Sequence, residues 1–249
     1  VPCVISDYLC DTVCTGVPNT QYIKRSTKYL QKLKKQFVTK NRTSMRNSKK
    51  FVDSLLLKTK NPRILIIGSA EIGTGTNVFL NNPDIVAVGL DIYKTKTVDI
   101  IADAHYLPFN ESTFDGVWVQ AVLEHVIDPN LVANEIYRVL KLSGTIYSEI
   151  PFMQPVHEGA YDFTRYTLTG HRYLFKKFEK IDCGVLDGPS EAFTWALKYW
   201  LMATIKNRLI ANIISQSIYW LILKPLSLLT GGAKSIDFFS GSYFLGTKS

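Results

Sequence analysis

The stretch RILIIGSAEIGTGTNVFLNNPDIVAVGLD, residues 63–91, decides the fold. It opens on a run rich in β-branched residues, typical of a buried strand, and continues through a glycine-bearing turn at 68–75. A second apolar run ends at Asp91. Small residues after one strand let the backbone approach a cofactor, and an acid ending the next strand can accept ribose hydroxyls. The stretch predicts a parallel α/β sheet that binds a nucleoside-type cofactor. The spacing between the glycine-bearing turn and Asp91 also fits a nicotinamide dehydrogenase.

Four further motifs follow in order. They read IADAHYLPF at 101–109, FDGVWVQ at 114–120, AVLEHV at 121–126 and RVLKLSGTIY at 138–147. With the opening stretch they resemble class I S-adenosylmethionine (SAM)-dependent methyltransferases of the small-molecule and ubiquinone-biosynthesis type, over residues 61 to about 182. The resemblance implies a Rossmann-like seven-stranded α/β sheet and SAM as the cofactor. A nicotinamide dehydrogenase is disfavoured because the DAxxLPF and LEHV runs have no role in that class.

The resemblance also implies a cofactor site, residue by residue. The turn around the methionine part of SAM would be shaped by Gly68, Ala70, Gly73 and Gly75. The ribose would be held by Asp91, and the adenine by Asp103 and Ala104. The cofactor would also be lined, at the end of the fourth strand, by Gln120, Ala121 and Val122. The chain departs from the family at Ile66, where an acid is usual, and at Ala70, which replaces a glycine. These departures keep a non-catalytic SAM-binding regulatory protein as an alternative.

A second cluster of functional residues is predicted after the fifth strand, in PFMQPVHEGAYDFTRYT at 151–167. It resembles the HxxxxDYxRxT stretch of methyltransferases found with bacterial surface-polysaccharide genes. Methyl transfer to a hydroxyl needs a base, and we expect His157 to supply it. Asp162 would orient the imidazole or receive a sugar hydroxyl, and Arg165 would clamp an anionic group. A structural ion pair between these two is the alternative, and His125 is assigned either a direct role or packing.

Residues 1–60 are predicted to form a basic helical extension of the methyltransferase domain at 61–249. Thirteen Lys and Arg against one acid lie between Lys24 and Lys60, and apolar residues at near-helical spacing predict an amphipathic helix at 22–38. Such a helix suits an anionic membrane surface or a lipid-linked phosphate, whereas nucleic acid is not favoured. The alternative is a helix that packs on the catalytic domain with its lysine face in solvent.

An apolar helical insertion is predicted at about 190–236, between the sixth strand and the last strand at 241–247. It carries three of the four tryptophans, and no acid lies between Glu191 and Asp237. Its longest uncharged stretch, 209–223, has 15 residues, short of the roughly 20 that span a bilayer. The insertion is interpreted as a membrane-interface segment, with a substrate lid or a homodimer interface as alternatives.

Composition narrows the remaining function classes. Four cysteines among 249 residues are too few for a disulfide framework, and without a signal-like N-terminus the protein is expected to be intracellular. Cys3, Cys10 and Cys14 lack the pattern of a zinc site, and no catalytic metal is expected. We predict O-methylation of a glycan or lipid-linked acceptor by a protein bound peripherally at the cytoplasmic membrane face. Methylation of an isoprenoid quinone or another lipid is the alternative.

Overall fold

A seven-stranded sheet forms the centre of the structure, a computed structural model that describes residues 41–157, 161–205, 207–229 and 236–249. The strands are β1 (Arg63–Ile67), β2 (Val86–Asp91), β3 (Ile100–Ile101), β4 (Phe114–Gln120), β5 (Leu140–Pro151), β6 (Glu179–Val185) and β7 (Gly241–Thr247). Their order is β3-β2-β1-β4-β5-β7-β6, with β7 antiparallel to both neighbours and the other pairs parallel. This confirms the predicted Rossmann-like seven-stranded sheet.

The strand order reverses beside β1. The chain runs outward from β1 through β2 to β3, and then returns to the other side of β1 as β4. In register, Ile66 of β1 lies between Gly89 of β2 and Trp118 of β4. Open sheets of this kind bind their ligands outside the carboxyl ends of the strands, at the point where the order reverses. The topology therefore places the candidate site at the ends of β1 and β4.

Helices cover both faces of the sheet. They are α1 (Arg42–Leu56), α2 (Asn77–Leu80), α3 (Pro129–Val139), α4 (Leu168–Leu174), α5 (Pro189–Ile205), α6 (Arg208–Ile218) and α7 (Lys224–Leu229), with a 3-10 turn at Leu123–His125 and a π-helical segment at Tyr219–Leu223. The predicted amphipathic helix at 22–38 and the three N-terminal cysteines lie outside the described residues.

Helix α1 belongs to the hydrophobic core. Asn41 caps its N-terminus by accepting hydrogen bonds from two backbone N–H groups. Phe51 and Leu55 are fully buried, and the ring of Phe51 lies 5.4 Å from that of Trp118 and 6.2 Å from that of Phe79. The part of the predicted extension at residues 42–56 is thus built into the same core as the sheet.

The predicted apolar insertion before the last strand is confirmed as helices α5, α6 and α7. Much of its surface is exposed, including Trp200 at 61% and Leu221 at 77% of their full area. Among the described residues, one helical stretch, Arg208–Leu228, is long and apolar enough to cross a membrane by length and composition alone, with a mean hydropathy of 1.3. This stretch is longer than the uncharged run at 209–223 because the helix continues through Lys224 and Pro225.

Candidate active site

The glycine turn, residues 68–75, directly follows β1. Gly68 has a φ of +80°, and a Cβ at this position would lie 2.2 Å from Cγ2 of Val122. A Cβ on Gly73 would lie 2.0 Å from Oε1 of Gln120. Neither position can carry a side chain unless its neighbour moves. Glycine at both therefore lets the turn lie against the end of β4.

Asp91, at the end of β2, stands against the same turn. Its Oδ2 accepts a hydrogen bond from the backbone N–H of Ala70 at 2.9 Å. The backbone N–H of Ala102 in turn donates to the carbonyl of Asp91 at 3.0 Å, which fixes the start of the next loop beside it. In that loop Ala104 is buried and Asp103 is about half exposed. The turn and the three predicted contacts to ribose and adenine thus follow one another along the carboxyl edge of the sheet.

Oδ1 of Asp103 lies 2.6 Å from Nδ1 of His105 and accepts a hydrogen bond from the His105 backbone N–H at 2.9 Å. Nε2 of the same imidazole accepts from the backbone N–H of Asp128. His105 therefore holds Asp103 in place and connects its loop to the start of α3. No local motif predicts this role for His105.

Gln120, the last residue of β4, joins the turn to β5. Its Nε2 donates to the carbonyl of Thr74 at 3.2 Å and to Oε2 of Glu149 at 2.7 Å. The other carboxylate oxygen of Glu149 accepts from the buried Tyr147 hydroxyl at 2.5 Å. Burial raises the pKa of the Glu149 carboxyl. A buried hydrogen-bonded network thus fixes the predicted cofactor residue Gln120 and supports the turn from behind.

Ala121 and Val122 turn the chain away from β4. Ala121 has a φ of +53°, a left-handed conformation that costs a non-glycine residue free energy and that often occurs at functional sites. Its N–H donates to the carbonyl of Glu149 at 3.0 Å. Val122 then packs on Gly68 and leads into the 3-10 turn at Leu123–His125. Both residues directly follow the end of β4, and their contact with the cofactor stays a prediction.

A cavity of about 190 Å³ opens at the carboxyl ends of β4 and β5. It extends from Thr74 in the glycine turn to Asn41 and Ser44 at the start of α1. Its polar lining also includes Gln120, Glu124, Glu149, Gln154, His157 and Asp187. Asp187 is held by the Asn41 side-chain amide at 3.0 Å and by the Ser240 hydroxyl at 3.0 Å. The cavity borders the predicted cofactor site and contains the predicted base.

The loop after β5 holds the three predicted catalytic residues together. Oδ2 of Asp162 accepts a hydrogen bond from the backbone N–H of His157 at 2.7 Å, and Nδ1 of His157 lies 3.5 Å from the same oxygen. Both terminal nitrogens of the Arg165 guanidinium contact the Asp162 carboxylate. Arg165 also donates to carbonyls of Gln154, Pro155 and Thr164. This geometry matches the structural ion pair that was the alternative to an anion clamp.

His157 faces a second histidine and a buried acid. Its Nε2 lies 3.7 Å from Oε1 of Glu124, and Nε2 of His125 lies 3.7 Å from the same oxygen. The Glu124 side chain is fully buried, whereas 39% of the His157 side chain is exposed. The proximity of the Glu124 carboxylate raises the pKa of His157, against a smaller lowering by burial. The structure thus places His125, which the sequence left between two interpretations, beside the predicted base.

Sequence reasoning did not single out Glu124, Glu149 or Asp187. Glu124 lies in the quoted LEHV run, but nothing in that run shows that its side chain points to a loop 33 residues later. Glu149 is the one acidic residue of β5. An isolated acid near the end of a buried strand is the available sequence signal for a site residue. Asp187 follows β6 and offers no motif. All three become visible as site residues only when the strand ends are brought together.

The residues beside the point where the strand order reverses fit SAM. Gly68 and Gly73 let the turn pack directly on Val122 and Gln120 at the end of β4, and the acid at the end of β2 lies within hydrogen-bonding distance of the turn. In the described part of the chain, the buried Ser69 hydroxyl of the same turn has no hydrogen-bond partner. An adenosyl group with an amino-acid tail needs such a close backbone, an acceptor for its ribose and polar groups near the tail. Bound SAM supplies an electrophilic methyl group on its sulfonium.

Comparisons with known proteins agree with this geometry. A family model described as a methyltransferase domain matches residues 70–148. The demethylmenaquinone methyltransferase of Roseiflexus sp. (strain RS-1) is 27% identical over 50% of this chain and 56% of that protein. The corresponding protein of Roseiflexus castenholzii is 32% identical over 30% of this chain and 39% of that protein. The chain therefore spans about half the length, or less, of these curated relatives.

Solved structures share the fold at low sequence identity. A putative sarcosine dimethylglycine methyltransferase from Galdieria sulphuraria has a TM-score of 0.50 and 14% identity, covering 82% of this chain and 86% of that one. Phosphoethanolamine N-methyltransferase 2 of Haemonchus contortus, solved with SAM, has a TM-score of 0.50 and 17% identity, covering 82% and 52%. The [4+2]-cyclase SpnF reaches a TM-score of 0.51 at 16% identity, covering 82% and 80%. Residues 70–148 thus match a methyltransferase domain, within a fold that solved SAM-dependent methyltransferases share.

Proposed function

We propose that the protein transfers the methyl group of SAM to a hydroxyl of a glycan or lipid-linked glycan at the cytoplasmic face of the membrane. The observation that carries the proposal is the polar cavity that connects the glycine turn to His157. Carboxylate, amide and imidazole groups line it, and such groups bind sugar hydroxyls through hydrogen bonds. An acceptor in this cavity lies next to the predicted methyl donor.

His157 is the group that assists loss of the hydroxyl proton in this proposal. A neutral hydroxyl is a weak nucleophile, and assistance from a positioned side chain is typically worth about 10² to 10⁴ in rate. The backbone hydrogen bond to Asp162 fixes the loop position of His157, and Glu124 lies behind its Nε2. Asp162 and Arg165 act as positioning residues, because their polar groups are directed at each other and at their own loop.

The charge of the cavity favours an acceptor whose reacting end is uncharged. Glu124, Glu149 and Asp187 line it, and none of its described lining residues is a lysine or an arginine. A phosphate or carboxylate close to these acids would be repelled. We therefore place any anionic part of a lipid-linked acceptor outside the cavity, and a neutral sugar hydroxyl inside it.

A quinone acceptor is the second candidate. It is supported by the two curated relatives, which are demethylmenaquinone methyltransferases. The isoprenoid tail of a quinone would also suit the exposed apolar surface of the insertion. The many polar groups of the cavity are the argument against it, since burying them against a quinone ring leaves them unpaired.

Methyl transfer from radiolabelled SAM to a panel of acceptors tests the proposal. The panel contains neutral glycans, lipid-linked glycans and a demethylmenaquinone analogue, and binding of S-adenosylhomocysteine is measured by calorimetry in parallel. We expect label in a glycan hydroxyl. We also expect His157→Ala to lower turnover about 10²- to 10⁴-fold while the affinity for S-adenosylhomocysteine stays within about 2-fold.

Other results of this experiment would redirect the assignment. Transfer to the quinone analogue alone would favour the second candidate. Tight cofactor binding without transfer to any acceptor class would favour a regulatory SAM-binding protein. Wild-type turnover in His157→Ala would exclude His157 from the reaction.

A further inference from the structure

Two imidazoles and one carboxylate converge on a single point at the edge of the acceptor cavity. Nε2 of His125 and Nε2 of His157 each lie 3.7 Å from Oε1 of Glu124. The two rings stand perpendicular to each other with their centroids 4.9 Å apart. One ligand atom from each of the three residues lies within 4.8 Å of the others. We refer to these three residues as the Glu124 cluster.

The carboxylate in this cluster lacks the partners that a buried charge needs. Glu124 is fully buried, and neither of its carboxylate oxygens accepts a hydrogen bond from the residues that the structure describes. A separation of 3.7 Å is too long for a hydrogen bond from either imidazole. Burying a carboxylate without donors is costly unless a cation or a metal ion is present. The unpaired oxygens are a second observation that points to a ligand.

Both imidazoles are oriented as metal-binding histidines are. Nδ1 of His125 lies 2.5 Å from the carbonyl of Tyr161, and Nδ1 of His157 lies 3.3 Å from the carbonyl of Pro155. Because a carbonyl can only accept, Nδ1 carries the proton in each ring and the lone pair is on Nε2. Histidines that ligate metals usually have this arrangement, with the other ring N–H donated to a carbonyl or carboxylate.

We propose that the Glu124 cluster binds one divalent first-row transition ion, for which Zn²⁺ is the best geometric match. In a tetrahedral zinc site, bonds of about 2.1 Å place neighbouring ligand atoms roughly 3.4 Å apart. The two His–Glu separations of 3.7 Å need to shorten by about 0.3 Å, and the separation between the two imidazole nitrogens, which lies within 4.8 Å, by up to roughly 1.4 Å, through rotation of the side chains. Two histidines and one glutamate form a known ligand set for zinc, and three protein ligands leave the fourth position open.

The position of the cluster gives the ion a use, and this consequence rests on the proposed function. Glu124 and His157 both line the acceptor cavity, so an ion between them borders the space for the acceptor. An acceptor hydroxyl oxygen in the open coordination position would lose its proton more readily, because a bound divalent ion lowers the pKa of an oxygen ligand. In this arrangement His157 would act by holding the ion, the hydroxyl proton would pass to solvent through the open cavity, and the hydroxyl oxygen would take the methyl group as S-adenosylhomocysteine leaves.

Direct binding of the ion tests the inference without any turnover. The full chain is stripped with a chelator, dialysed and titrated with ZnSO₄ in competition with a zinc indicator. Because thiols also bind Zn²⁺, the titration uses a background in which Cys3, Cys10 and Cys14 are replaced by serine. We expect one equivalent of Zn²⁺ per chain, and an affinity at least about 100-fold lower in Glu124→Gln and in His157→Ala.

His105→Gln is the matched control, since His105 is a partly buried histidine that lies beside a carboxylate outside the cluster. Its Zn²⁺ affinity should equal that of the parent. A cooperative thermal unfolding transition in each variant shows that it is folded. Replacing Zn²⁺ with Co²⁺ should give a visible absorption of a tetrahedral nitrogen and oxygen site, absent from Glu124→Gln.

Substoichiometric binding, or equal binding by the parent and Glu124→Gln, would overturn the metal site. Methyl transfer is measured separately, on the stripped and the reloaded protein. We expect stripping to abolish it and Zn²⁺ to restore it. Full activity of the stripped protein would show that His157 works without an ion, which removes the proposed use of the ion but leaves the methyltransferase assignment intact. Normal zinc binding without transfer to any acceptor would contradict the proposed function alone.

Discussion

At the scale of single residues, His171 shows how a histidine can be structural. It is fully buried in α4, and its two ring nitrogens lie 2.9 Å from the hydroxyls of Ser148 and Ser242 on neighbouring strands. Burial lowers its pKa from the usual 6.5 to about 3. The folded protein therefore holds this ring neutral at pH values where an unfolded chain would protonate it.

This difference predicts a loss of stability in mild acid. Between pH 6.5 and about 3 the unfolded state binds one more proton at His171, so the free energy of unfolding falls as the pH falls through this window. From pH 7 to pH 5 the loss from this residue is roughly 2 kcal/mol. Urea unfolding at both pH values should show that His171→Gln, although less stable at pH 7, loses less on acidification than the wild type. Equal losses in the two proteins would mean that His171 does not titrate in this way.

Asp91 provides a residue-scale test of the cofactor site. Its carboxylate holds the turn through Ala70 and is the predicted acceptor for the ribose hydroxyls. Losing charge-assisted hydrogen bonds costs about 2 to 3 kcal/mol, so Asp91→Ala should weaken SAM binding roughly 30- to 150-fold in calorimetry. Asp99→Asn is the control: Asp99 accepts a backbone N–H of β2 at 2.7 Å, which an amide oxygen can also do, and its SAM affinity should stay within about 2-fold. Comparable losses in both variants would indicate general damage to the sheet edge.

At the scale of secondary-structure elements, the apolar insertion is the segment for which a membrane surface is the proposed partner. Trp200 and Trp220 are exposed at 61% and 45%, and the charged residues along its helices after Glu191 are all basic. Exposed aromatic side chains with nearby lysines are typical of segments that lie in a membrane interface. The same exposure is compatible with a dimer interface or a lid, so the surface needs a direct test.

We predict that the protein pellets with vesicles containing anionic lipid, and that salt weakens this binding without eliminating it. The basic residues contribute an electrostatic binding free energy that salt screens. The apolar side chains, once buried in the lipid, contribute a hydrophobic binding free energy that salt does not screen. Trp200→Glu with Trp220→Glu should release the protein and leave SAM binding unchanged. The control replaces Leu142 and Tyr173, exposed apolar residues outside the insertion, by glutamate and should still pellet. A wild type that forms dimers and ignores vesicles would instead identify an oligomer interface.

At the scale of the whole molecule, α1 closes one face of the sheet and reaches the acceptor cavity. Phe51 packs among the buried rings of Phe79, Trp118 and Tyr147. Phe51→Ala should therefore lower the free energy of unfolding by about 3 to 5 kcal/mol. Met45→Ala on the same helix, exposed at 43%, should change it by less than about 1 kcal/mol. Equal small effects in denaturant unfolding would mean that α1 is not part of the cooperative core.

The sequence by itself determined the sheet, the glycine turn, the acid at the end of β2, the loop with His157 and the apolar insertion. These features can be predicted because each depends on residues that are neighbours in the chain. Runs of β-branched residues form strands, and glycine permits the close turn. The sequence also offered an ion pair between Asp162 and Arg165 as the alternative to separate roles in substrate binding, since their spacing is local. It left open whether they bind substrate or each other.

Only the tertiary structure decided which side chains meet at the site. The backbone N–H of Phe163 donates to the carbonyl of Glu124 at 2.7 Å, and this contact docks the loop after β5 on the turn after β4. It brings His157 next to Glu124 and His125, and no local sequence pattern predicts this contact. Glu149 and Asp187 reach the same cavity from two other strand ends. Contacts between distant segments depend on how strands are ordered and loops are docked, and those are properties of the folded chain as a whole.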